Sequence, residues 1–314
     1  MRKWFALGLI VFACATAHAI DTVKFLIPAN PGGGWDQTGR QLGQAMLAAK
    51  LVKSTQFDNK GGAGGTIGLA QFVNAQKGDG AALMVGGMVM VGAIALNKSA
   101  VNLGMVTPIA RLTAEANAIV VPANSKLRTL RELVDQFKAN PASVSWGGGS
   151  AGGTDHIMVG MIAKVVGADA ARINYVPFKG GGEALQAIIG GHVVAGVSGY
   201  GEFAEQIKAG KMRALAVSSA SRIAGVDIPT LKEQGVDVEI ANWRGVFGAP
   251  GINEKQRAEL VRLVVDTVAS AGWKETLKRM DWADVLLTGD EFKSYVDAES
   301  KRIAGVLKDI GLAK

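Results

Sequence analysis

Residues Val144 to His156 read VSWGGGSAGGTDH, and residues Pro28 to Gln37 read PANPGGGWDQ. Each joins a short β-forming run to a glycine-rich turn and then to a helix start, the connection that α/β layering requires. About 30 residues after each comes a further turn of the same kind, GGAGGT (Gly61 to Thr66) and KGGGEA (Lys179 to Ala184). This weak duplication of a βαβ theme predicts two similar α/β lobes. Each lobe offers glycine turns at the carboxyl ends of its strands, the edge where open α/β sheets bind ligands. Two facing edges make a cleft.

Working outward, strands are expected at Val23 to Pro28, Gln56 to Asn59, Ala82 to Val85, Pro108 to Arg111, Ala118 to Val121, Ser143 to Trp146, Ile173 to Phe178, Val193 to Val197 and Arg213 to Val217, with Glu239 to Phe247 extended. Helices are expected at Asp36 to Lys50, Thr66 to Gln76, Thr129 to Ala139, Thr154 to Val166, Glu183 to Ile189 and Glu202 to Ala209. Two long ones follow, Glu254 to Met280 (weakened at Gly272) and Glu291 to Leu307. Thr129 is a cap residue, and Asn140-Pro141 stops the helix it opens. The pattern divides the chain into a signal segment 1–19, a first lobe from 20–121 plus 241–314, and a second lobe from 122–240.

The first nineteen residues, MRKWFALGLIVFACATAHA, have a basic start, an apolar stretch and an A-x-A site, the layout of a secretory signal peptide cleaved after Ala19. The apolar stretch is too short to span a bilayer core of ~30 Å. Cleavage would remove the single cysteine, so the mature chain has neither disulfides nor thiol chemistry, and a periplasmic location is expected. The 314 residues are 48% apolar, 19% charged and 6% aromatic, which excludes a disordered chain; the excess among the 42 glycines must sit in loops. The net charge of +7 comes from scattered Lys and Arg, with no basic run interleaved with aromatics, so no nucleic-acid partner is expected.

A helix N-terminus carries unpaired N–H groups and about half a unit of positive charge. Glycines ahead of it let a ligand approach the backbone closely, so these turns are candidate anion sites that need no cationic side chain. Asp36, in the first turn of its helix, suits both ordering the glycine turn and facing a ligand. Trp35 could wall the cleft, and Arg244, in Trp243-Arg244, is the best side chain for pairing a second carboxylate.

Other chemistries fit poorly. GGGWDQTGR lacks the P-loop lysine. Gly147, Gly149 and Gly152 satisfy G-x-G-x-x-G, but Lys179 stands where a ribose-binding acid would be needed. Ser150, Asp155 and His156 would fan around a helix start rather than align as a relay, and no metal-ligand cluster or cofactor motif appears.

Seven segments in order, FLIPANPGGGWDQTGR, DNKGGAGGTIG, SWGGGSAGGTDH, YVPFKGGGEALQAIIGGHV, RALAVSSASR, DIPTLKEQG and NWRGVFGAPG, resemble the substrate-binding receptors of tripartite tricarboxylate transporters, also called Bug receptors. The resemblance covers the whole mature chain. It implies a two-lobed α/β fold of the periplasmic-binding, Venus-flytrap type that closes over an organic acid and passes it to an integral-membrane permease, without catalysis. It implies that loops matching Pro31 to Asp36 and Gly147 to Thr154 hold a ligand carboxylate. The candidate ligand set is then Pro31, Gly33, Gly34, Trp35, Asp36, Gly65, Thr66, Gly149, Ser150, Gly153, Thr154, His156, Lys179 and Arg244. Gly147 and Gly148 stand where the family usually has serines, and Phe178 where tyrosine is common. The first loop is most similar to the citrate and tricarballylate branch, so a di- or tricarboxylate anion and a monomeric receptor are expected. The alternatives are a receptor that reports to a sensor kinase, or an exported hydrolase or transferase on a similar scaffold.

Overall fold

The computed structural model describes residues 20–178 and 181–313; the signal segment and Lys179 lie outside them. The chain begins with β1 (Thr22–Ile27), α1 (Gly34–Ala48), β2 (Ser54–Asn59), α2 (Thr66–Ala75), β3 (Ala82–Gly87) and α3 (Met88–Leu96). A long strand β4 (Thr107–Pro122) leads to α4 (Leu130–Ala139), β5 (Ser145–Gly148), α5 (Thr154–Val166), β6 (Asn174–Pro177) and α6 (Gly181–Ile189). Then come β7 (Ala195–Gly199), α7 (Tyr200–Lys208), β8 (Met212–Val217), β9 (Ala241–Gly248), α8 (Glu254–Ala269), α9 (Ala271–Met280), β10 (Ala283–Thr288) and α10 (Gly289–Asp309).

Strand identity follows burial. All six residues of β3 are buried, and it lies between β1 and β9 as a continuous apolar strand should. β2 alternates exposed and half-buried residues, as befits an edge. Helix starts follow their caps. Thr129 and Glu132 close a capping box on α4, and Asn253 and Gln256 close one on α8.

The sheet runs β2-β1-β3-β9-β4-β7-β5-β6, with β8 and β10 also paired to β4. β1, β2 and β3 are mutually parallel, as are β5, β6 and β7, so each half is a βαβ system. β4 connects them. Its residues Thr107 to Ala116 pair with β9, and Asn117 to Pro122 pair with β7 and β8. One strand thus serves two lobes, and the chain returns to the first lobe through β9.

Two expectations change here. Pro108 to Arg111 and Ala118 to Val121 are one sixteen-residue strand, because the polar residues between them, Thr113, Glu115 and Asn117, are buried and not a loop. The helix expected over Glu254 to Met280 breaks at Ser270, whose extended backbone (ψ 152°) ends α8 and whose hydroxyl caps α9 by accepting the Trp273 amide. The strand β10 was not anticipated; it covers the flank of β4 opposite β9.

The core is continuous across both halves, from Phe25, Leu42 and Phe72 to Trp146, Ile157 and Ile162. α10 starts on the first lobe, where Phe292 meets the Trp243 ring edge-on. It ends on the second, where Asp309 pairs with Lys164 of α5 at 2.9 Å. Among the described residues no helix is long and apolar enough to cross a membrane.

Candidate functional site

A cavity of about 810 Å³ opens between the lobes, at the carboxyl ends of β1 and β5. Its first wall is the turn from β1 into α1. Gly32 holds φ +89°, a left-handed conformation suited to glycine, and its amide donates to Asp36 Oδ2 at 2.9 Å. Asp36 Oδ1 accepts from Arg40 Nε and Asn59 Nδ2, each at 2.9 Å. Burial alone would raise the Asp36 pKa; the hydrogen bonds from Arg40, Gly32 and Asn59 outweigh it and hold the carboxyl below its usual value. Asp36 is therefore the buried clamp of the turn and does not belong to the cavity wall. Gly33 caps α1 without any side-chain acceptor, and Gly33, Gly34 and Trp35 line the cavity. The first-turn amides of α1 thus open onto it.

The second wall is the turn before α2. Gly62, Gly64 and Gly65 all have positive φ, and a Cβ on Gly65 would come within 2.5 Å of the Trp35 ring. Trp35 thereby locks one turn against the other. Gly65 lines the cavity, whereas the Thr66 hydroxyl turns back to donate to the Ala63 carbonyl at 3.0 Å.

The facing lobe repeats the design. The amide of Gly149 donates to Asp155 Oδ2 at 2.8 Å, as that of Gly32 does to Asp36. In each lobe an acid in the helix's first turn closes the glycine turn ahead of it. Gly149 and Ser150 line the cavity, but the Gly149 amide is already taken by Asp155 and its carbonyl accepts from Tyr175 Oη at 2.8 Å. Gly153 caps α5, again with no side-chain acceptor. Thr154 is buried, its hydroxyl 3.3 Å from Asn242 Oδ1, and neither it nor Gly153 lines the cavity.

His156 also stands off the wall. It stacks on Tyr175 with ring centres 4.1 Å apart, and its Nδ1 accepts the Gly152 amide. Burial pushes its pKa down to about 4, so it is neutral near pH 7. His156 steadies the turn from behind.

Arg244 lies on β9 directly beneath the α1 turn; a Cβ on Gly34 would come within 2.7 Å of its Cζ. Its side chain is 2% exposed, lines the cavity, and stacks over Trp282 with Cζ 5.2 Å from the ring centre. The sequence reading gave this guanidinium to a ligand carboxylate, but the structure pairs it with Glu115 at 2.5 Å. Among the described residues its Nε and Nη1 have no hydrogen-bond partner. Glu115 also accepts the Gly201 amide at the start of α7.

Of the acids around Arg244, the sequence reading weighed Asp155 alone, as a member of a relay and not as a cavity residue; Glu115 and Glu202 were not considered. Asp155 and Glu202 line the cavity together with Ser198, Asn242 and Glu183. Burial raises the Asp155 pKa to about 6, against the opposing bonds from the Gly149 amide and the Asn117 side chain. Burial, with the charge of Glu115, pushes Glu202 up to about 7 while Arg244 opposes it. The available signal was an acid between two apolar strand runs (Glu115) and one in the first turn of a helix entering from a strand end (Glu202).

Of the sequence-derived set, then, Pro31, Gly33, Gly34, Trp35, Gly65, Gly149, Ser150 and Arg244 converge on one cavity. Asp36, Thr66, Gly153, Thr154 and His156 stand behind it as turn-forming residues, and Lys179 lies outside the described residues.

Comparison with known proteins matches this geometry to a family. The family described as "Tripartite tricarboxylate transporter family receptor" matches residues 39–312. Protein BugT of Bordetella pertussis is 26% identical over 310 residues, covering 97% of this chain and 94% of its own. The solved structure of the periplasmic binding protein BugD superposes with a TM-score of 0.82 at 23% identity, over 93% of this chain and 98% of that one. MatC of Rhodopseudomonas palustris with bound malate gives 0.79 at 23% identity, over 91% and 98%. The two-lobed architecture is thus that of periplasmic binding proteins. The chain belongs to the tripartite tricarboxylate transporter receptor family, as a solute-binding receptor rather than an enzyme.

Proposed function

We propose that this receptor works outside the cytoplasmic membrane, where it captures a di- or tricarboxylate anion and delivers it to a membrane permease. The observation that carries the reading is the N-terminus of α1, whose glycine cap and first two residues line the cavity opposite the Gly149-Ser150 turn of the facing lobe. Such ends replace water around an anion at little desolvation cost, and each charge-assisted bond contributes roughly 1.5–3 kcal/mol. A few suffice for micromolar binding, about 8 kcal/mol. The bound malate of MatC is a dicarboxylate of the expected class. The lobes that close on the ligand are taken as residues 20–121 with 241–314, and 122–240; the change of partners inside β4 supports a crossing close to the first boundary.

The test is thermal melting across a panel of mono-, di- and tricarboxylates. A dicarboxylate or tricarboxylate at 100 times its Kd should stabilise the folded state by about 2.7 kcal/mol. No shift with any carboxylate would overturn the reading.

A further inference from the structure

The floor of the cavity holds more acid than a simple anion trap needs. Arg244 is the one cation among the described residues on its wall, and Glu115, Asp155 and Glu202 surround it from β4, α5 and α7. Glu183 of α6 and Ser198 of β7 line the same cavity, Ser198 beside Glu202. A ligand that gives one carboxylate to the amides of α1 sets its second carboxylate toward this floor.

The three acids are not equivalent. Glu115 has Arg244 and the Gly201 amide. Asp155 has a donor on each oxygen, Asn117 on Oδ1 and the Gly149 amide on Oδ2. Glu202 lies beside Ser198 and, among the described residues, makes a long contact, 4.0 Å, to Arg244. Of these three, Glu202 has the fewest donors and lines the cavity, so it is the one placed to keep a proton. Arg244 points to an occupant as well: buried beneath the α1 turn, it retains two nitrogens without partners among the described residues.

We propose that Glu202 receives the ligand's second carboxylate as a carboxylic acid, its O–H donating to the ligand oxygen, so that binding a polycarboxylate here takes up one proton from solvent. This rests on the carboxylate-receptor reading above. No covalent bond changes: the proton stays on Glu202, and the ligand carboxylate stays ionised and accepts. The nearby negative charge strengthens the hold on that proton, as in any pair of acids that share a site. Burial holds the Glu202 pKa at about 7, so the sign is fixed: affinity is greatest below neutrality, while the ligand is still ionised, and falls as pH rises through neutrality. A polycarboxylate then binds without setting two bare carboxylates together, and glutamate becomes a specificity element for anions.

The experiment is titration calorimetry of the mature protein with malate and with glutarate, at pH 7, 8 and 9, in buffers of different ionisation enthalpy. The wild type should take up close to one proton per ligand at pH 9, with affinity falling about fifty-fold between pH 7 and 9. Glu202→Gln keeps a hydrogen-bond donor and loses the titration; its affinity should stay within about threefold from pH 7 to 9, with no proton uptake. Its melting midpoint confirms folding. Binding by the wild type with no proton exchange and a flat profile would overturn this inference alone. A slope that persists in Glu202→Gln would place the proton elsewhere and overturn the assignment to Glu202. No binding of either acid, or of any other carboxylate, would overturn the receptor reading and this inference with it.

Discussion

At the scale of single residues the site is a balance of buried charge. Arg244 and Glu115 are each 2% exposed, and their pairing is held by a third party, the Gly201 amide. A buried pair of this kind adds little net stability over an apolar pair, but removing one partner strands the other. Arg244→Met should therefore cost about 3–5 kcal/mol in urea unfolding, while the double change Arg244→Met with Glu115→Met should recover most of it. A single-variant cost below about 1 kcal/mol would show that water relieves Glu115 and that the pair is not dry. Arg244 was legible as a site residue because it follows Trp243 where the chain returns between lobes, and a guanidinium there can pair a carboxylate bidentately. Its partner was not, since Glu115 lies 129 residues away and its polarity read as a strand break. The division of labour between wall and backing was equally hidden. Asp36 and His156 sit at the right sequence distance from their glycine turns, and only the direction of their hydrogen bonds shows that they brace the turns from behind.

At the scale of elements, glycine is read correctly when its job is local and missed when its job is distant. The turns at Gly32 to Gly34 and Gly149 to Gly153 were legible because strand, turn and helix follow one another along the chain. Gly92, inside α3, carries no such signal. A Cβ there would collide with the Gly152 carbonyl oxygen of the opposite lobe, so this helix glycine sets how closely the two halves approach. That oxygen is backbone and cannot step aside, so Gly92→Ala should lower the ligand-free melting temperature, a loss offset in part by alanine's preference of about 1 kcal/mol for a helix interior. Affinity for the carboxylate should also fall at least tenfold, because the lobes no longer meet. Equal affinity, measured by calorimetry, would mean that ligand binding does not require the approach seen here. β4 gives the same lesson in reverse: its continuity depends on partners from both lobes, and local pattern alone split it in two.

At the scale of the whole molecule, the question is what links the lobes while leaving them free to move. β4 and β9 cross at the cleft floor, and α10 adds a third link along the outside, from Trp243 in the first lobe to α5 in the second. The link at its far end is Ile310, 2% exposed, seated where Gly160 of α5 leaves no side chain. The exposed Lys164–Asp309 pair beside it adds little. Ile310→Ala should cost about 2–4 kcal/mol as a cavity, but its more telling effect should be on shape. With α10 released from α5, the ligand-free lobes gain freedom to separate, while a saturating ligand still draws them together through contacts that exist only in the closed state. Small-angle scattering should therefore find a larger radius of gyration than wild type without ligand and an equal one with it. If the radius is unchanged in both states while the melting temperature drops, α10 merely fills space, and the two crossing strands alone govern closure.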